Sequence, residues 1–229
     1  MTQASRAERR AELIARIPSW YTPWAHVAFP AAAGLSIALY ALSRIRDLQA
    51  WQVALVPVFL VLGNAVEWHV HRGVLHRRTR FLETLYVRHT PQHHALYVAD
   101  DMAIRDWREL RLVLLPASGV LAILAAGSPL ALALVLAGQR NVAALWIASA
   151  VCYVLSYEWL HLAYHLPEDA LVARLGIVRA LRRHHRTHHA PHLMQRWNFN
   201  VTVPLWDLLR GTIHQPAAAP GAAASRRRP

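Results

Sequence analysis

Apolar positions fall into four long runs separated by arginine- and histidine-rich stretches. Residues 24–43 (WAHVAFPAAAGLSIALYALS) and 51–68 (WQVALVPVFLVLGNAVEW) each approach the ~20 residues that a helix needs to cross the hydrocarbon core of a bilayer. Only a short turn with Arg44, Arg46 and Asp47 joins them, which predicts a helical hairpin. A third apolar region runs from Leu110 to Gly138, and a fourth from Asn141 to about Leu166. Gly127-Ser128-Pro129 is expected to break the third region into a span of about 110–127 and a short piece. That piece belongs to the connection or extends the fourth helix. The pattern predicts an all-α integral membrane protein with about four transmembrane helices in two hairpins, capped by a histidine-rich helical region.

The ends read differently. Residues 5–17 (SRAERRAELIARI) carry a capping-box pattern, Ser5 with Glu8, and place Leu13, Ile14 and Ile17 on one side. This predicts a helix along the membrane surface; a solvated, fraying helix is the alternative. No secretory signal is expected, because the first apolar run starts only near Trp24. From Gln215 onward the chain is low-complexity and expected to be disordered. The domain reading is therefore an N-terminal segment 1–23, a membrane domain 24–214 and a tail 215–229.

Charge orients the spans. The net charge of +12 comes from 25 arginines and no lysine. The arginines flank apolar segments rather than interleaving with stacking aromatics, so nucleic acid is not expected as a partner. Four precede the first span, eight lie in residues 72–111 and ten follow the fourth span. The two remaining connections hold only Arg44, Arg46 and Arg140. The positive-inside rule then places both termini and the histidine-rich cap in the cytoplasm. The single cysteine, Cys152, excludes a disulfide framework within one chain.

The candidate chemistry lies in four histidine clusters: His71 and His76; His89, His93 and His94; His161 and His165; His185, His188 and His189. Neutral imidazole is the commonest protein metal ligand, and ten exceed the capacity of one metal. Positions i and i+4 share a helix face, so His161 and His165 point the same way, and His185, His188 and His189 are expected to converge. His71 and His76 are i, i+5 and would splay ~140° on an ideal helix, so either the helix ends or bulges between them, as Gly73 permits, or they flank a metal from different directions. Glu67-Trp68 precedes the first pair and Glu158-Trp159 the second. The offset is 91 residues at these pairs and 96 at the triplets, which suggests a duplicated scaffold holding metals between its halves. Similar requirements at two helix ends would give the same echo. Glu67 and Glu158 are candidates to accept the outer N–H of a ligating imidazole, or to pair with an arginine. His69, His184 and His192 adjoin the clusters as supporting candidates. His26 and His214 are expected to be bystanders. Trp197, Phe199 and Trp206 are expected at an entrance or as interfacial anchors.

These residues resemble the fatty acid hydroxylase superfamily, also called the sterol desaturase family, over about 67–212. The resemblance rests on Glu67-Trp68-x-x-His71-Arg72-x-x-Leu75-His76 and the three later histidine clusters. It includes the closing run Asn198-Phe199-x-Val201-Thr202-x-Pro204-Leu205-Trp206-Asp207-x3-Gly211-Thr212. The second cluster departs from the pattern: three residues separate His89 from His93-His94, where many members have two. The resemblance implies a four-helix membrane anchor, a cytosolic cap, two iron ions with O2 as co-substrate, and a membrane lipid as substrate. Zinc is the alternative occupant in purified protein. Hydroxylation is the expected reaction; desaturation or carotenoid or sterol oxidation on the same scaffold is the alternative. A non-catalytic metal-binding membrane protein is the rival class. No haem-domain pattern lies in these residues, so a separate ferredoxin- or cytochrome b5-like electron donor is expected. The sequence leaves oligomeric state open.

Overall fold

The computed structural model describes residues 2–216, and these are all-helical apart from a single isolated bridge between Val98 and Asp101. Four helical stretches are long and apolar enough to cross a membrane: Pro23–Ser43, Ala50–Leu75, Trp107–Leu136 and Arg140–His165. The chain is thus that of a multi-pass membrane protein. In chain order the helices are α1 (Gln3–Ala15), α2 (Pro23–Ser43), α3 (Ala50–Val53), α4 (Leu55–Val70), α5 (Glu83–Val87) and α6 (His94–Leu96). They continue with α7 (Leu110–Val113), α8 (Ala117–Leu136), α9 (Arg140–His165), α10 (Gly176–His188) and α11 (Leu205–Leu209). The expected tail lies, beyond Pro216, outside the described residues.

The connectivity is that of two hairpins, but packing does not follow it. Helix α9 is central and packs against α2, α4 and α8. Small residues make this possible. A Cβ added at Gly34 of α2 would lie 3.1 Å from Leu155, and one at Gly63 of α4 would lie 2.9 Å from the Tyr153 ring. Without a hydrophobic drive inside lipid, such close backbone approach is a main source of helix association. Ala38 of α2 buries against Ala148 and Val151 of α9 in the same way. Helices α4 and α8 scarcely touch each other, and the gap between them becomes a cavity.

Two expectations fail at the level of elements. Gly127-Ser128-Pro129 does not break the third span: α8 continues through Pro129 to Leu136. Proline leaves the carbonyl of Ala125, four residues back, without its helical donor. The Ser128 hydroxyl donates to that carbonyl at 2.7 Å, and Trp146 Nε1 donates to Gly127 O at 2.9 Å. The freed carbonyl is therefore satisfied and the helix persists. At the N-terminus, α1 is capped by Thr2, whose side chain accepts from Ser5 N, so the Ser5–Glu8 capping box does not form. One side of α1 packs on the rest of the protein. Leu13 joins the core formed by Leu96, Tyr97, Ile104 and Leu110, and Ile17 is buried as well.

Candidate metal centre

The helices deliver histidines through two π-helical turns. After Val70, α4 runs into a π-helix over His71–Leu75, and α5 runs into another over Arg88–His93. A π-turn repeats near every fifth residue, so His71 and His76 come to the same side; their rings lie 5.1 Å apart and nearly parallel. The same distortion pairs His89 with His94 rather than with His93. Their Nε2 atoms lie 3.1 Å apart.

All ten clustered histidines are buried and fall into two groups able to hold a metal ion. The first is His71, His76, His89, His94 and His188; the second is His93, His161, His165, His185 and His189. The sequence echo takes a specific form here. Each half of the chain supplies its pair and the outer two residues of its triplet to one group. The middle residue of each triplet, His93 or His188, crosses to the other group. The expected convergence of His185, His188 and His189 on one point is therefore corrected. His185 and His189 stay together with Nε2 atoms 3.0 Å apart, while His188 is turned toward His76 at 2.9 Å. Helix α10 lies between the two groups and feeds both.

Hydrogen bonds define what these nitrogens can do. His71 Nδ1 donates to Phe199 O, His188 Nδ1 to Trp197 O at 2.9 Å, and His189 Nδ1 to Tyr97 O. His93 Nδ1 donates to Leu112 O at 3.0 Å and His165 Nδ1 to Met102 O at 2.7 Å. A carbonyl only accepts, so each of these rings carries its proton on Nδ1 and presents a bare lone pair at Nε2. These lone pairs face other histidines: His71 Nε2 is 2.9 Å from His89 Nε2. Nε2 of His93 and of His165 is buried without a partner among the described residues. Burial first, then the neighbouring imidazoles, pushes the pKa of His89, His93, His94, His185, His188 and His189 well below the ordinary histidine range, and that of His76 to about 2. Protonation is thus disfavoured, and the clustered lone pairs are free to bind a cation. At a metal–nitrogen distance of about 2.1 Å, adjacent ligands at right angles sit about 3.0 Å apart, which matches the observed spacings. The residues fit two metal ions.

The carbonyls come from two segments that are themselves held by buried carboxylates. For the first group the segment is 197–202. Asn198 takes a left-handed backbone (φ +57°), which turns the carbonyls of Trp197 and Phe199 toward His188 and His71. Asp207 accepts from the backbone N–H of Phe199 and Asn200 at 3.0 and 2.8 Å, and from Trp68 Nε1. Burial would raise the Asp207 carboxyl, but bonds from His184, Thr212 and these amides hold it below its ordinary range. For the second group the segment is 97–112, organised around the fully buried Glu109. The roles of Asp207, Asn198 and Glu109 were missed from sequence. Asn198 and Asp207 do stand in the closing motif, but Glu109 carries no local signal.

The supporting candidates divide. Glu67 accepts from Val201 and Thr202 N–H and from the hydroxyls of Thr202 and Tyr153. Glu158 accepts from Leu115 N at 3.2 Å. Neither bonds an imidazole; Glu67 fixes the 197–202 backbone that supplies carbonyls to the first group, and Glu158 fixes Leu115, whose carbonyl bonds His26. His184 bonds Asp207 at 3.0 Å and so supports the first segment from behind. His69 is exposed and stacks edge-on against Trp68, and His192 is exposed. His26 bonds Tyr21 and Leu115 O, and His214 packs on Trp197, both outside the two groups. Phe199 is not at an entrance. It is fully buried, with its ring against His71, His76 and His188.

The cavity between α4, α8 and α9 has a volume of about 480 Å³. It runs from Phe59 and Trp146 past Leu124 and Val151 to Val70 and His71. The family model described as fatty acid hydroxylase matches residues 56–212, more than two-thirds of the chain. The chain belongs to the fatty acid hydroxylase family. The matched residues take in all ten clustered histidines and the 197–202 segment. They leave out α1 and α2. No curated protein and no solved structure matches the chain. Family membership implies a hydroxylase-type oxidoreductase, and the two buried histidine groups suggest a dimetal oxygenase.

Proposed function

We propose that this protein hydroxylates a fatty-acyl or other long-chain lipid, using O2 and two iron ions held by the two histidine groups. The observation that carries the reading is the cavity: an apolar space in the membrane region that ends at His71, a member of the first group. Its volume suits a small-molecule site. Its walls hold an apolar tail and exclude water. The reacting carbon then lies beside the first group, while Tyr157 of the cavity wall packs against His161 of the second. Glu67, the carboxylate in the wall, bonds Tyr153, so the wall offers no free carboxylate to the tail. Bound iron supplies the redox chemistry that zinc lacks, allowing O2 to be reduced and an unactivated C–H bond to be oxidised. The carbonyl-bonded imidazoles keep their Nε2 lone pairs aimed at the metals throughout.

The arginine distribution supports a cytoplasmic cap. Protease protection of the cap in right-side-out cells, and its loss in inverted vesicles, is the expected result; the reverse would overturn the orientation. Electrons come from a separate ferredoxin- or cytochrome b5-like donor drawn to this basic surface. The function is tested by growing expressing cells under ¹⁸O2 and comparing their lipids with those of cells expressing His188→Ala. An ¹⁸O-hydroxylated lipid that disappears in the variant is expected, with turnover in membranes falling as salt is raised. Identical lipid extracts without label would contradict the proposal.

A further inference from the structure

Helix α1 lies outside the residues matched by the family, yet it reaches the backbone that orients the second histidine group. Arg10 of α1 forms an ion pair with Glu109; their side chains are 7% and 0% exposed. Glu109 joins several parts of the 97–112 segment. One oxygen accepts from the N–H of Arg105 and of Asp106 at 3.2 Å, and the other accepts from Tyr97 OH at 2.7 Å as well as from Arg10. The Arg10 guanidinium also sits 5.2 Å from the centre of the Tyr97 ring. Tyr97 is fully buried, packs against the rings of His93 and His165, and presents the carbonyl that accepts from His189. Leu13 packs in the same cluster, and Arg108 donates back to Ile17 O at 2.7 Å.

The two groups differ in this respect. Three of the five histidines in the second group, His93, His165 and His189, donate to carbonyls of the 97–112 segment. The first group instead takes its carbonyls from Trp197 and Phe199, and that segment is held by Asp207 and Glu67. Removing one partner of a buried ion pair leaves the other as an uncompensated charge, which disturbs the backbone that Glu109 holds.

We propose that Arg10 is a positioning residue for the second metal: through Glu109 and Tyr97, α1 locks the carbonyls that aim His93, His165 and His189. The inference rests on the reading of both histidine groups as metal sites. Loss of a partner behind a ligating histidine typically weakens metal affinity by about 10–100-fold. In the full chain, Arg10 is dispensable for the first group and required for the second.

The test titrates metal-depleted full-length protein in detergent with Co²⁺ and with Zn²⁺, reading stoichiometry by elemental analysis and ligation by the Co²⁺ absorption spectrum. Four forms are compared: wild type, Arg10→Gln, Arg10→Lys, and Arg9→Gln, which removes only an exposed pair with Glu12. Wild type and Arg9→Gln are expected to bind two ions. Arg10→Gln is expected to keep one at wild-type affinity and bind the other at least tenfold more weakly, and Arg10→Lys to recover part of that loss. Two ions at wild-type affinity in Arg10→Gln would overturn the proposal, as would loss of both ions together. A wild type that binds no metal would instead overturn the underlying reading of the histidine groups.

Discussion

At the scale of single residues, the centre depends on which nitrogen of each imidazole carries the proton. Five backbone carbonyls fix that choice, at Phe199, Trp197, Tyr97, Leu112 and Met102, and all five leave Nε2 bare. The cost of assembling so many buried imidazoles appears as a pH dependence. The seven clustered histidines outside the spans have folded pKa values below the ordinary range, because burial and mutual repulsion disfavour the charged form. The unfolded chain therefore binds more protons below about pH 6.5, and folded stability falls as the pH drops through that value, by about 1 kcal/mol per pH unit for each histidine. Acid also removes metal, since binding requires unprotonated ligands. Thermal unfolding of the metal-free protein in detergent is expected to shift to lower temperature steadily from pH 7.5 to pH 5.5. A flat profile across that window would contradict the burial of neutral histidines.

At the scale of elements, much of the plan was legible in the sequence, and the failures share a cause. The four apolar helices follow from run length and composition, and the π-turn provides one of the outcomes, a bulge, that the i, i+5 spacing of His71 and His76 left open. What the pattern could not show was the surroundings of each helix. The angular positions of His185, His188 and His189 are the same whether they meet one metal or two; only α10 lying between both groups decides. Continuation of α8 through Pro129 depends on the Ser128 hydroxyl and on Trp146 from α9. Carbonyl partners have no side-chain signature, so Glu67 and Glu158 looked like the natural acceptors for imidazole N–H groups. Glu67 instead braces the 197–202 backbone that supplies such acceptors, and Glu158 holds Leu115 N.

At the scale of the whole molecule, the two halves exchange one histidine each. His93 from the first half completes the second group and His188 from the second half completes the first, so neither group forms unless both halves pack. Central α9 links this cap to the membrane region, ending at His165 in the second group while its middle lines the cavity at Tyr153 and Val151. The apolar cavity reaches His71 of the first group, and α1 packs beside the segment that supplies carbonyls to the second, so the proposed lipid access and metal retention would fall to different parts of the chain. The most direct measurement is the metal content and Mössbauer spectrum of full-length protein produced with ⁵⁷Fe and purified without oxygen. Two nitrogen-coordinated irons per chain that change state on exposure to O2 are predicted. One iron or fewer per chain, or zinc alone with no response to O2, would contradict the dimetal oxygenase.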